Sequence, residues 1–282
     1  MKFLSNAHTH TAYVDGRDSI PALVRRAQEL GFFSLGFSEH GYQGFDLDYS
    51  LSPQRRQCYL NEIRALQKAH ETLGIAPKLY AGVEQDALTS QAVKDQNRRD
   101  FDFIIGSAHY LSDAQDGKKE AVDGPRDMLT GFLNDVFSGD AVAMAKAYYA
   151  LLGASVKADK PDIIGHFDVV RKHAAVIGLN TADKAYRRAA LAALEEVFQG
   201  CRLMEVNTGS IARGYDTLPY PADFLLDAWR EMGGELTLTS DCHNAADLDC
   251  AFAQTVPMLK EKGFKHLCRL GTGKPLWDIV EL

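Results

Sequence analysis

Apolar residues recur along this chain at two different periods, and the switches between them lay out its elements. Ile20, Leu23, Val24, Ala27 and Leu30 follow the spacing of one helix face, with Asp18 or Ser19 placed to cap, Pro21 near the start and Gly31 at the end. The pattern then becomes a continuous run, FFSLGFSEH, that breaks into Ser38, Glu39 and His40, as a buried strand with a polar tip does. A helical stretch from about Pro53 to Leu73, closed by Gly74, leads to KLYAGVE, a strand ending on Glu84. FDFIIGSAH ends on His109, and DIIGHFD carries His166 just past an Ile-rich run. CRLMEVNTG ends near Asn207 and ELTLTSDCH ends at Asp241 and His243, while 265–269 is a weak final strand. Helices are predicted at 127–137, 140–153, 183–199, 222–232 and about 248–262, and 111–126 reads as a polar loop that could form part of a lid.

With the opening KFLSNAH, seven strands alternate with helices, which places the chain in the α/β class. The expected architecture is a (β/α)7 barrel with its polar residues, and any metal site they form, at the C-terminal ends of the strands. A doubly wound open sheet is the alternative, but polar tips on almost every strand fit a ring better than one crevice. Whether 265–269 belongs to the ring stays open. No linker, repeat or low-complexity run compels a split, so one domain over residues 1–282 is expected.

Composition narrows the partners. The 38 acidic and 31 basic side chains give a net charge of −7, without the positive excess that nucleic acid would favour. A hydrophobic fraction of 46% excludes disorder as the main state. Five cysteines form no CxxC pair, which fits a reducing cytoplasm. The start MKFLSNAHTH turns polar too soon for a signal peptide, and no segment has the roughly eighteen apolar residues of a membrane span, so no membrane partner is expected.

Chemistry gathers at the strand tips. Six of the nine histidines, His8, His10, His40, His109, His166 and His243, occupy them. His8 and His10 are two residues apart, so both rings fall on one side of a strand, where they can share a divalent ion. Alone, that pair could be hydrogen-bonded structure, Glu84 a helix cap and Asp241 a turn residue. Together the four make a ligand set. Asp15, His40 and His243 can supply another, and His109 and His166 a further one if Glu84 bridges, since a carboxylate has an oxygen for each of two ions. Clustering these groups without cations would be costly, so two or three divalent ions are expected; the mixed nitrogen and oxygen shells leave manganese, iron and zinc open.

Such a centre suits in-line hydrolysis of a small phosphate monoester by a metal-bridging hydroxide, with no protein nucleophile. Asp15 and His243 belong to the candidate catalytic set, near the third ion, where the leaving oxygen needs a proton or stabilisation. Arg17 and Arg213 are candidate phosphate clamps and transition-state stabilisers, although either could be surface charge. Asn207, Thr208 and Ser210 are candidate pocket donors, or simply turn residues. Glu39 could receive a substrate cation at the mouth or orient His40. Cys242 should point away from its neighbours as a structural thiol. The basic runs at 94–99 and 171–172 read as exposed helix surface, and His70, His173 and His266 as solvent-exposed or helix-terminal.

NAHTH with Asp15, SEH at 38–40, GVE at 82–84, GSAH at 106–109, GHFD at 165–168 and SDCH at 240–243 together resemble the polymerase and histidinol phosphatase superfamily, over nearly the whole chain. The resemblance implies a distorted seven-stranded barrel with a trinuclear centre: His8, His10, Glu84 and Asp241 at one ion, Glu84, His109 and His166 at the second, and Asp15, His40 and His243 at the third. DGRDS, SEHGY and EVNTGSIARG are similar to the stand-alone histidinol-phosphatase branch, which implies release of L-histidinol and phosphate in histidine biosynthesis. A nucleotide or oligonucleotide phosphoesterase of the same superfamily is the alternative, and a metal-stabilised interaction module the alternative of another class. No obligate protein partner is inferred.

Overall fold

In the computed structural model, which describes residues 2–271 and 276–282, seven parallel strands form a nearly closed ring. In chain order the strands are β1 (Ser5–Asn6), β2 (Ser34–His40), β3 (Lys78–Asp86), β4 (Phe103–Ser107), the short β5 (Tyr110–Ser112) and β6 (Lys119–Ala121), β7 (Ile163–Ile164), β8 (Leu203–Asn207) and β9 (Glu235–Thr239). The ring runs β1-β2-β3-β4-β7-β8-β9, with every neighbouring pair parallel. It closes just past the strand ends: Thr9 bridges Cys242, and the His10 N–H donates to Cys242 O at 2.9 Å. The Asn6 side-chain amide also donates a hydrogen bond to Ser240 Oγ at 2.7 Å. The barrel is therefore the observed architecture, and the open sheet is not.

The helices are α1 (Ile20–Leu30), α2 (Pro53–Leu73), α3 (Gln91–Asp100), α4 (Arg126–Phe137), α5 (Ala141–Asp159), α6 (Ala174–Ile177), α7 (Lys184–Gly200), α8 (Gly209–Ala212), α9 (Asp223–Glu231) and α10 (Phe252–Glu261). Punctuation residues set their limits. Ser52 accepts the Arg55 N–H to start α2, and Gly74 in the left-handed region (φ 62°) ends it. Two helices depart from the apolar pattern. α5 continues past residue 153 because Val156 still packs into the core, and α3 escapes a periodicity reading because its one buried residue is the polar Asn97.

Inside the ring, the Phe103 side chain lies across Gly36 and Gly82. A Cβ at Gly82 would sit 2.2 Å from the Phe103 ring, so only glycine fits there. Below that ring, the weak final strand is real but lies outside the barrel. β10 (His266–Leu270) pairs antiparallel with β11 (Trp277–Glu281), a strand the sequence pattern did not suggest. This hairpin closes the amino-terminal end of the ring: Ser34 Oγ donates to Leu270 O at 2.6 Å, and the Tyr80 hydroxyl donates to Gly271 O.

The 111–126 segment is likewise more ordered than a polar loop. β5 and β6 pair antiparallel, with Leu111 opposite Glu120 and both buried; the polar turn between the strands hides that pairing from a hydropathy reading. No helix among the described residues is long and apolar enough to cross a membrane.

Candidate metal centre

Parallel register delivers the polar tips to one rim. β2 and β3 pair His40 with Glu84, so both side chains arrive at the same level. Asp241 follows β9 in a left-handed backbone conformation (φ 47°), one that aspartate adopts more readily than most residues, and its carboxylate meets the His8 and His10 rings.

Glu84 is the hub. Its Oε2 lies 3.4 Å from His8 Nε2, 3.8 Å from His10 Nε2 and 2.9 Å from His40 Nδ1, and its Oε1 lies 3.2 Å from His109 Nε2 and 2.9 Å from His166 Nε2. Asp241 Oδ1 stands 3.2 Å from His10 Nε2 and 3.7 Å from His8 Nε2. On the open side, Asp15 Oδ2 is 2.9 Å from His243 Nε2 and 3.7 Å from His40 Nε2, while its Oδ1 is 3.4 Å from His10 Nδ1. The structure thus brings together all nine residues expected to bind metal. Among the described residues, seven of them, all but His166 and Asp241, fall into three overlapping groups of ligand atoms. His10 joins Asp15, His40 and His243 as well as His8, so two groups share a side chain the sequence reading gave to one.

The donor set fits divalent cations. Among the described residues, His8 Nε2, both His10 ring nitrogens, Asp15 Oδ1 and Glu84 Oε2 are buried without a hydrogen-bond partner, which ordinary folding avoids. Ions would satisfy these atoms, and the cluster can coordinate two or three of them; imidazole and carboxylate donors admit manganese, iron or zinc alike. Electrostatics points the same way. Burial disfavours a charged His8, but Glu205, Glu84 and Asp241 outweigh it and push its pKa up to about 10; Glu84 likewise lifts His40 against burial to about 9. Burial favours a neutral Glu84, yet His109, His8 and His40 hold its carboxyl well below the usual range. The carboxylates of this rim thus favour positive charge beside them, which protons on the imidazoles supply in the metal-free protein and bound ions would supply instead.

A cavity of about 800 Å3 opens above the cluster, lined by Asp15, His40, Glu84, His109, His166, Arg213, Asp241 and His243 among others. Arg213 meets the expectation of an arginine at the site: Nη2 is 2.9 Å from Asp241 Oδ2 and Nη1 3.1 Å from His243 Nδ1. Other expected contacts are not formed. The Arg17 side chain is exposed and does not line the cavity; its backbone N–H instead donates to His243 O at 2.6 Å. Glu39 is fully buried behind the cluster, accepting from Thr11 N–H at 2.6 Å and lying 3.7 Å from His10 Nδ1, so it supports His10 and neither His40 nor a ligand at the mouth. Asn207, Thr208 and Ser210 are also buried and spend their side chains inside the fold. Asn207 bonds Glu205 and Gly209 N–H, Thr208 bonds Thr239 O and Cys250 O, and Ser210 bonds Leu218 O. Cys242 is a buried structural thiol, its pKa pushed up to about 12 by burial.

Sequence reasoning also missed residues at the site, Glu205 and Lys172 among them. Glu205, fully buried on β8, accepts from Thr239 Oγ1 at 2.8 Å and from His166 N–H at 2.6 Å, and lies 2.9 Å from His8 Nδ1. An acid inside MEVN gives no sequence signal beyond its inward register. Lys172, expected on an exposed basic surface, lines the cavity 3.5 Å from Asp123. Its neighbour Arg171 bonds Asp168 at 2.9 Å and Pro219 O at 2.7 Å. The 94–99 run is engaged in ion pairs, Lys94 with Asp159 and Arg98 with Asp162. His70 and His173 are buried against the carbonyls of Pro77 and Gly124, and His266 lies 3.4 Å from Glu235, so none joins the cluster.

A parallel βα ring carrying such a cluster at one rim is the frame of a metal-dependent phosphoesterase. Residues 6–209 match the PHP domain, and the chain belongs to that family. It is 26% identical over 279 residues to a "probable histidinol-phosphatase" of Deinococcus radiodurans, covering 94% of this chain and 98% of the relative. A protein of the same description from Schizosaccharomyces pombe is 21% identical over 295 residues, covering 97% and 90%. Among solved structures, hisK of Listeria monocytogenes shares the fold with a TM-score of 0.73 at 19% identity, covering 88% of this chain and 98% of that one. Histidinol phosphate phosphatase of Lactococcus lactis subsp. lactis Il1403, complexed with zinc, L-histidinol and phosphate, gives a TM-score of 0.62 at 19% identity, covering 94% and 95%.

Proposed function

We propose that this protein hydrolyses L-histidinol phosphate to L-histidinol and inorganic phosphate. The observation that carries the reading is the convergence of buried, unpartnered ligand atoms around Glu84 at the base of a cavity that also presents Arg213. Relatives spanning nearly the full chain and described as histidinol-phosphatases support the choice of ester.

His8, His10, Glu84 and Asp241 would hold one ion, Glu84, His109 and His166 a second, and Asp15, His40 and His243 a third. When bound, the ions would acidify a water and neutralise charge on the phosphoryl group. The protein's own contribution is placement. Arg213, fixed by Asp241 and His243, keeps further N–H donors for phosphate oxygens and for the charge that grows on them. Water oxygen bonds to phosphorus as the ester P–O bond breaks, and the departing alcohol oxygen takes up a proton. Asp15 and His243, paired on the open side of the cluster, are the residues this reading assigns to that oxygen. Arg17 can act on this geometry only through the backbone bond that holds His243.

The test is phosphate release by purified protein reconstituted with manganese, iron or zinc. The reading expects much faster turnover of L-histidinol phosphate than of nucleoside monophosphates; equal rates would reject it.

A further inference from the structure

Beyond the phosphate, the cavity has a second chemical character. Its outer wall includes Phe45, Asp46, Tyr49, Tyr110 and Lys119. We propose that this wall is a subsite for a positively charged group on the leaving alcohol, with the Asp46 carboxylate as its anchor and the rings of Phe45 and Tyr110 as its sides. The proposal rests on the phosphatase reading above and adds the class of alcohol accepted.

Asp46 is held in place before any ligand arrives. Its Oδ2 accepts from the Tyr110 hydroxyl at 2.6 Å and its Oδ1 from the Tyr49 N–H at 3.2 Å. Yet among the described residues no lysine, arginine or histidine pairs with it, whereas the other cavity aspartates have cationic or histidine partners: Asp86 lies 3.4 Å from His109, and Asp123 lies 3.5 Å from Lys172. A partly buried carboxylate fixed by neutral donors is complementary to an incoming cation. The surrounding rings favour the same charge. Tyr110 meets Phe45 edge to face at 5.1 Å, and the Lys119 ammonium lies 5.0 Å from the Phe45 centroid, so this wall already holds one cation against an aromatic face.

The position is right for a substituent of the ester. Tyr110 directly follows His109, whose ring is 6.5 Å away and reaches Glu84, so Asp46 stands one side chain outward from the phosphate end. Glu39 was the expected anchor for a substrate cation, but it lies behind the cluster; Asp46 occupies the place that role requires. An ester with a neutral tail would cover Asp46 without pairing it, and a charge covered but left unpaired is a stronger discriminator than a lost apolar contact.

The experiment compares kcat/KM of the metal-reconstituted full chain for L-histidinol phosphate, O-phosphoethanolamine and the neutral 3-phenylpropyl phosphate. Wild type should favour the two cationic esters. Asp46→Asn should lower the cationic-to-neutral ratio about tenfold, mainly through KM, and Asp46→Glu should keep more of the preference. Because each ratio is taken within one preparation, partial misfolding does not shift it. A ratio that survives Asp46→Asn, or a wild type without preference for cationic esters, including one that hydrolyses none, overturns the subsite. If phosphoethanolamine is favoured over histidinol phosphate and the ratio still falls in Asp46→Asn, the subsite stands and the histidinol assignment fails. If histidinol phosphate is the favoured ester and the ratio stays, the reverse holds.

Discussion

Glu205 lies 2.9 Å from His8 Nδ1 and thereby decides what the other face of that ring can do. A carboxylate only accepts, so Nδ1 carries a proton, and Nε2, facing Glu84 and Asp241, is the nitrogen that can give up its proton and offer a lone pair to an ion. Glu205→Gln would replace one acceptor oxygen by a donor. We expect metal affinity to fall about 10- to 100-fold, read by metal retention after dialysis against a chelator; full retention would remove Glu205 from the support of the centre.

Glu84 is the sharper test of the centre. Both of its oxygens face imidazoles, so Glu84→Gln should lower bound metal per chain and phosphate release together. Unchanged metal content with unchanged turnover would refute the bridging role.

Protons and metal compete for the same atoms. In metal-free protein, His8 and His40 carry pKa values pushed up to about 10 and about 9 from an ordinary 6.5. That stabilisation is complete below about pH 6.5 and is lost as pH rises through 9 and 10. Glu84, held below its ordinary 4.5, contributes above that pH, and its share is lost on acidification. The Tm of metal-free protein should therefore fall toward pH 10 as well as toward acid, and metal binding near pH 7.5 should release protons. Calorimetry in two buffers of different ionisation enthalpy measures that release; identical apparent heats would contradict it.

Packing inside the ring gives a prediction independent of chemistry. A methyl at Gly82 would collide with Phe103 at 2.2 Å, so Gly82→Ala should cost about 1–3 kcal/mol by chemical denaturation. A shift below measurement error would mean that the ring moves aside freely.

Legibility followed the physics of each residue. His8, His10, His40, Glu84, His109, His166, Asp241 and His243 were readable because an apolar run that ends in an ionisable side chain marks a strand tip, and parallel strands in a ring bring their tips together. Glu205 was not, because a lone acid within a strand resembles any inward polar residue until its partners from β1 and β9 are in place. Asn207, Thr208 and Ser210 looked like free donors because sequence does not reveal that the neighbouring carbonyls and Glu205 take up their bonds. Asp46 and Lys172 become cavity residues only through the path of their loops. The hairpin of β10 and β11 lay beyond an alternation reading because its strands pair with each other and not with the ring.

That hairpin shapes traffic as well as stability. With Leu270 and Tyr80 stoppering one end of the barrel, a cleaved ester would depart through the doorway it entered, and on the proposed reading the phosphate, lodged deeper, would wait for the alcohol. Inorganic phosphate would then be the last product out, competing with fresh ester for the vacated enzyme, while the alcohol, leaving first, would inhibit in a noncompetitive pattern.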